Sequence, residues 1–529
     1  MRIGILTDSR WLTGWRKAVL CGLLDSEVAR VVLVISNNDD AGRARSVSGG
    51  AWDFLDRVER KLAKRFLHGR LARARGFSPA LLDSEPLDLS AYQDAPRARV
   101  SETSTIAVAE LDVLLDLSSS DAGIDPRLAR LGVWRLASRR APQDRESPLG
   151  FWALYRGEPL SEIAVVRRSE DGVEEEIAWA RHCNFMWSWS VNDTLLGMQG
   201  ASLLKGAIQG KRSRAPIDPS SPRSRAVLQA PLMFARTYAR LAADAAERAL
   251  CEDRWRILLS RGDGQLPTVI EPPAHSYWAD PFVVRRGEQC HIFFEEYFFA
   301  TRRGVISHVC VDDPKPGAVL RDLKSTMIID QPHHLSYPFL FEHNGELFMI
   351  PESSAARTVE AWRATDFPLR WERAATLFSD VSAADTSLLQ YNGRWWLFTN
   401  LDSSGTRDHR SELHAFHADD PIAGPWVPHA LNPVVADARC GRMAGGFLTA
   451  ADGRPIRCGQ VQGRRYGQEV SYRLITELTE TAYSETPIDG VAPLTVSKGA
   501  RTHHVAARDG MVVADECFVG LKRRGASRR

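Results

Sequence analysis

No run of 18 apolar residues occurs in the 529-residue chain, so no transmembrane helix is expected. The opening MRIGILTDSRW lacks the apolar core of a signal peptide and reads as a strand and turn. No Cys-x-x-Cys is present. The eight cysteines lie far apart, which argues against a zinc ribbon and fits reduced, mostly buried thiols. A cytoplasmic location is the expectation. Neither sign of charge is in excess: 68 basic against 66 acidic residues leave a net charge of +2, too balanced for a dedicated nucleic-acid binder. The basic residues are mostly arginine. With 44% apolar and 25% charged residues the chain is not disordered, and its length implies two or three domains.

The first 200 or so residues alternate strand and helix patterns. Arg2–Thr7 reads as a strand, followed by a turn at Asp8–Ser9 and a helix through Val19, Leu20 and Leu23. Val31–Ser36 and Leu111–Leu117 are continuously apolar strands. Such strands separated by helices predict a parallel sheet covered on both faces. Phe54–Arg75 is a basic amphipathic stretch, either a solvated helix face or a peripheral membrane contact. Residues 210–224 are rich in proline, serine and arginine, a linker composition, and a helical pattern follows over Ala226–Leu250. The expected domains are therefore 1–205 (α/β), 206–250 (linker and helix) and 251–529.

From Trp255 onward one plan recurs five times: a short strand, a turn closing on glycine, and an apolar second strand. The turn glycines Gly287, Gly345, Gly393, Gly453 and Gly510 are spaced 58, 48, 60 and 57 residues apart. Four of the turns carry Asn-Gly or Asp-Gly, the strongest short hairpin signals. Paired strands at this period predict an all-β five-bladed propeller, with Arg256–Ser260 closing the ring beside the last blade.

Equivalent positions in successive blades converge on the propeller axis. At the start of the first strand these are Asp280, Tyr337, Asp385, Gly445 and His503 or Thr502. At the end of the second they are Glu295 or Glu296, Glu352, Asn400, Gln460 and Glu516. Asp280, Glu352 and Asp385 would place three carboxylates in one pocket, where burial and mutual repulsion separate their pKa values into an acid and a base. Glycoside cleavage uses such a pair. The alternative is that Asp280 and Asp385 cap backbone amides in blade turns. Tyr337, Trp278, Trp396, Asn400, His503 and Gln460 are the candidate substrate-binding residues. In a binding-only reading, Trp278, Trp362, Trp395 and Trp396 would stack on sugar rings.

The run HHLSYPFLFEHNGELFMIPES (His333–Ser353) resembles the N-terminal-domain family named after plant glucosamine inositolphosphorylceramide transferase, supported by YWADPF, RWWLFT, GPW and YGQEV. That domain is similar to the five-bladed propellers of arabinanase- and invertase-type glycosidases. The resemblance implies Asp280 as base, Glu352 as acid and Asp385 as the residue that tunes it. It departs in blade two, where Tyr337 stands at a place often held by Asp. It also implies that His503 or His504 lies near a possible cation on the axis; no other cofactor is expected. No counterpart of the family's transferase domain is expected in this chain, so the name does not carry transferase activity to it.

The N-terminal half resembles a folate-dependent formyltransferase of the sugar and methionyl-tRNA type, on LDVLLDL, GVW and GFWALYRGEP. Its chemistry needs an Asn, a His and an Asp. Arg135 and Ala137 stand at the first two places and only Asp171 could match the third. The resemblance therefore implies a Rossmann-like fold that has lost its chemistry. Three functions follow: a glycosidase or transglycosylase of cell-surface glycan biosynthesis, a non-catalytic carbohydrate-binding scaffold, or a sugar N-formyltransferase. The expected ligand is a carbohydrate, nucleotide sugar or glycolipid.

Overall fold

The computed structural model describes residues 1–8, 11–12, 14–24, 28–36, 54–63 except 56, 87–89, 97–118, 121–139 except 122, 145, 147–211, and 226–521 except 263, 313–314, 464 and 490–493. The expected linker from 212 onward, and residues 64–75 of the basic stretch, lie outside these. By internal contacts the chain divides into Met1–Ala243 with Ser403–Arg407, and Asp244–Asp402 with Asp408–Arg529. Among the described residues no helix is long and apolar enough to cross a membrane.

In the N-terminal unit a seven-stranded sheet runs in the order Arg97–Arg99, Arg30–Ser36, Arg2–Thr7, Val113–Asp116, Val133–Ser138, Leu160–Arg168, Glu174–Cys183. The first five strands are parallel; three of them, Arg2–Thr7, Arg30–Ser36 and Val113–Asp116, are the apolar runs that predict such a sheet, while Arg97–Arg99 and Val133–Ser138 carry no strand reading in the sequence. The last two turn antiparallel, a hairpin that the alternating α/β reading does not contain. Its turn is the segment around Asp171. The Asp171 carboxylate accepts hydrogen bonds from the Ser169 hydroxyl at 2.6 Å and the Val173 amide at 3.2 Å. It is thus an exposed turn cap. GVWRLASRR is largely a sheet strand, in which Arg135 pairs with Glu174 at 2.8 Å and Ala137 is buried. Trp189–Ile208 is a buried helix, capped where the Ser188 hydroxyl accepts from the Val191 amide at 3.2 Å.

The C-terminal unit contains five sheets: four are antiparallel and follow in sequence order, and the fifth joins the unit's earliest strands to its last two, with one parallel pairing of Thr268–Ile270 and Val319–Leu320. The inner strands are Ser276–Arg286, Ser336–His343, Ala383–Tyr391, Arg442–Thr449 and Val505–Arg508, and each pairs with the strand that follows its glycine turn. In Asn344–Gly345, Asn392–Gly393 and Asp509–Gly510 both residues have positive φ, the conformation of a type I′ hairpin. Cys251–Ser260 pairs along its whole length with Met511–Leu521, so the earliest strand of the unit closes the ring in blade five. One apolar core runs through the blades, built on residues such as Phe293, Phe341, Met349, Leu397 and Met443.

Four inner strands break register at the same place. Shifts fall at Ala279/Phe282, Ser336/Phe339, Ala384/Ser387 and Met443/Phe447. The residues inside them are Asp280, Tyr337, Asp385 and Gly445, with φ of 51°, 46°, 51° and 114°. A β-bulge re-aims a side chain, and positive φ at a non-glycine residue costs about 1–3 kcal/mol. Three such residues recurring at equivalent places in three blades mark the candidate site. At Gly445 no alternative residue fits: a Cβ would lie 1.9 Å from the Val505 carbonyl oxygen.

Candidate functional site

The bulges carry Asp280 and Asp385 into buried positions, and neither carboxylate caps a backbone amide among the described residues. Each meets a buried cation instead. Asp280 faces His503 Nε2 at 3.2 Å, with His504 Nδ1 at 3.6 Å. Burial raises the Asp280 pKa, but His503 and then His504 and Arg442 outweigh it and hold the group down at about 2. His503 is pinned on its other side by Asp515 Oδ2, 2.8 Å from Nδ1. Burial opposes its protonation, yet Asp515 and Asp280 lift its pKa to about 10. Asp515 also accepts the backbone amides of Asp280, His503 and His504 at 3.0–3.2 Å. It therefore fixes the bulge and the imidazole together.

Across the axis, Arg442 holds Asp385 through Nε at 2.6 Å and a terminal nitrogen at 3.2 Å. The same terminal nitrogen lies 3.6 Å from Glu352 Oε2. Glu352 ends the second strand of blade two, so blades two, three and four meet on one guanidinium. Burial pushes Asp385 up to about 7; Arg442 pulls the other way, while Glu352 and Asp280 add to the rise. Gln460 donates to Asp385 at 3.2 Å. Glu352 takes one hydrogen bond, from the Ser354 hydroxyl at 3.0 Å, and none of the described residues hydrogen-bonds its buried Oε2.

Tyr337 spans the axis and is fully buried. Its hydroxyl meets Ser387 at 2.8 Å, accepts the Gly445 amide at 3.1 Å and bonds the Gly445 carbonyl. Phe282 and His504 pack on its ring. The carboxylates thus stand beside an interior plugged by the Tyr337 ring.

The tryptophans expected to stack on sugars belong to the core. Trp278 is fully buried on Phe294 and donates to Glu296 at 3.1 Å. Trp396 is buried against His417 and donates to the Tyr391 carbonyl. Trp395 is buried and Trp362 half-buried. Their position on strand faces between neighbouring blades explains this: that space is the hydrophobic core. Asn400 is a brace: it donates to the Glu412 and Gly441 carbonyls and accepts the Met443 amide, joining blades three and four. Glu516 likewise braces Arg256 and the amides of Val496 and Ser497.

Asp280, His503 and Asp515 bring three potential metal-ligand atoms within 4.8 Å of one another. Both ring nitrogens of His503 already face a carboxylate, so its own proton supplies the positive charge between the two acids. These residues do not fit a resident cation unless that proton leaves.

Sequence reasoning missed Arg442 and Asp515. Arg442 opens the inner strand of blade four, and an arginine there was a usable signal for a buried counter-ion. Asp515 is the neighbour of Glu516, and strand alternation sends the two to opposite faces.

Residues 270–516 match the family described as Glucosamine inositolphosphorylceramide transferase 1, N-terminal. The rice (Oryza sativa subsp. japonica) protein of that name is 33% identical over 239 residues, covering 44% of this chain and 31% of its own. The Arabidopsis thaliana protein is 29% identical over 254 residues, covering 46% and 32%. The α-L-arabinanase of Cellvibrio cellulosa, solved with arabinohexaose, is similar at 12% identity and a TM-score of 0.33, covering 44% of this chain and 88% of its own. The chain spans about a third of the length of the plant relatives it matches, and the match lies in the propeller.

Proposed function

We propose that the propeller is a carbohydrate-active element of glycoconjugate biosynthesis that acts on a glycosidic bond with its axial carboxylates. One observation carries the reading: Asp280, Glu352 and Asp385, from three blades, lie in two neighbouring ion clusters that feel each other's charge, and their surroundings are unlike. In this reading Asp280, held ionised by His503, is the base that activates water or an acceptor hydroxyl. Glu352, with an oxygen free of hydrogen bonds, carries the proton to the leaving oxygen. Asp385 shares Arg442 with Glu352 and sets its charge balance. The names of the plant relatives favour glycoconjugate synthesis over polymer breakdown.

A second reading has its own support. Asp280 and Asp385 each have a buried cationic partner, an arrangement that also serves a binding scaffold without turnover. For the N-terminal unit we propose a formyltransferase ancestry without its chemistry. Arg135 is engaged by Glu174 and Ala137 has no proton to move, which supports that reading. Crystals soaked with monosaccharides, oligosaccharides and nucleotide sugars test the proposal. A sugar ring within hydrogen-bond distance of Asp280 and Glu352 is expected; sugar bound only at another face refutes it.

A further inference from the structure

We infer that the mouth of the propeller holds a saccharide of at least two rings, seated between Tyr466 as a stacking platform and Glu295 as a hydrogen-bonding acid, with Asp280 beneath. The inference rests on the carbohydrate reading above and deepens it by naming two subsites.

Tyr466 is 42% exposed, although His503 beside it is buried. Its ring lies 5.2 Å from the His503 ring, and the Arg442 guanidinium lies 5.4 Å from its centre. It therefore stands over the two cations that hold Asp280 on one side and Asp385 with Glu352 on the other. Its backbone is fixed. Arg501 donates to the Tyr466 carbonyl at 2.8 Å. The next residue, Gly467, presses so closely on His503 that a Cβ there would lie 2.6 Å from the His503 Cβ. A rigid, open aromatic face beside buried polar groups suits a sugar, which offers C–H groups on its face and hydroxyls at its edge. Because the backbone that carries the ring is held in advance, the loop loses little ordering entropy on binding.

Glu295 supplies the other end. In blade one it pairs with Ala279, the residue before the Asp280 bulge; in blade two Glu352 pairs with Ser336, the residue before the Tyr337 bulge. Glu295 is thus the blade-one counterpart of Glu352. It is 6% exposed, with His334 Nε2 at 3.4 Å and the Tyr277 hydroxyl at 3.5 Å from Oε1. Among the described residues no donor reaches Oε2. Burial and then the charge of Asp280 push its pKa well above the usual carboxylate range. A carboxyl that keeps its proton can donate to one sugar hydroxyl and accept from its neighbour. Beside it Tyr277 and Tyr297 are stacked at 4.7 Å, and both are half-buried.

The test is calorimetric titration of the full chain with neutral and amino monosaccharides, disaccharides and trisaccharides. Disaccharides are expected to bind at least about tenfold more tightly than their monosaccharides. Tyr466→Ala is expected to weaken disaccharide binding about tenfold or more, as loss of an aromatic anchor does, while Tyr466→Trp retains it. Glu295→Ala is expected to lose binding and Glu295→Gln to stay within about threefold, since an amide also donates and accepts. Melting temperatures check that each variant folds. If wild type binds disaccharides while Tyr466→Ala and Glu295→Ala stay within twofold of it, the two subsites are refuted and the carbohydrate reading stands. If wild type binds none of the saccharides, both fall together.

Discussion

Asp515→Asn removes one charge from the axis with almost no change of shape. The carboxylate faces His503 at 2.8 Å and accepts three backbone amides, including that of Asp280. Asn presents a single acceptor oxygen, so at least one amide and the imidazolium lose their partner. The size of the effect follows from His503, which moves from 6.5 to about 10 in the folded chain. At about 1.4 kcal/mol per pKa unit this is of the order of 5 kcal/mol, shared between Asp515 and Asp280. Asp515 is the stronger of the two attractions, so its loss should remove about 3 kcal/mol, in line with the ~3–5 kcal/mol found when a buried ion pair loses one member.

The pH dependence has a definite sign. A histidine with a raised folded pKa adds stability that is complete below 6.5 and is lost as pH climbs toward 10. The wild-type advantage over Asp515→Asn should therefore be greatest near pH 6 and shrink by pH 10. Amide exchange of peptides covering Ser276–Arg286 and Met511–Leu521 reports this locally. The variant is expected to exchange about 100-fold faster at pH 6, with His503 titrating closer to neutrality by nitrogen-15 NMR. Exchange within threefold of wild type at pH 6, or a wild-type His503 titrating near 6.5, would show that Asp515 does not hold the imidazolium.

Gly445→Ala should lower the melting temperature of the C-terminal unit by several degrees or prevent its folding, because its Cβ would fall 1.9 Å from the Val505 carbonyl oxygen; a melting temperature within one degree of wild type contradicts the close approach. Arg442→Gln leaves the buried Asp385 and Glu352 without their shared cation and should cost about 3–5 kcal/mol by local amide exchange, with Asp385 pushed higher still. Tyr337→Phe deletes the hydroxyl that joins Gly445 and Ser387 and should cost about 1–3 kcal/mol; no change in exchange at residues 442–449 counts against the plug. The groups on the axis also set a stability maximum on the acid side. Asp280, lowered to about 2, contributes stability that is lost below pH 4; Asp385, raised to about 7, contributes stability that is lost between pH 4 and 7. Melting temperatures that rise steadily from pH 5 to 8 contradict this.

The propeller was legible because hairpin turns and alternating apolar strands are local signals, and five glycine turns at a near-regular spacing leave few other architectures. Asp280 and Asp385 were legible for the same reason, since a repeat aligns them with Tyr337 and Gly445 at the bulge. Side-chain facing was not. Trp278 and Trp396 have the composition of a sugar platform, but strand alternation and blade packing decide that they are core. Counter-ions such as Asp515 and Arg442 come from strands far away in sequence, so no local pattern connects them to Asp280 and Asp385. In the N-terminal unit three of the five parallel strands are visible as apolar runs; Arg97–Arg99 is too short and polar, and Val133–Ser138 too mixed, to stand out. The hairpin Leu160–Cys183 was not recognised, although its Asp171–Gly172 pair is a turn signal of the same kind that marked the blades.

The most direct measurement is turnover by the full chain on a panel of glycans, glycolipids and nucleotide sugars, repeated with Asp280→Asn and Glu352→Gln. Each substitution keeps the shape of its side chain and removes its acid–base function, which is typically worth about 10²–10⁴ in rate. Loss of that size in both variants, with sugar binding retained, is the expected result. Turnover within about twofold of wild type in either variant, or wild type that binds these sugars and never converts them, would contradict glycosidic chemistry at the axial carboxylates.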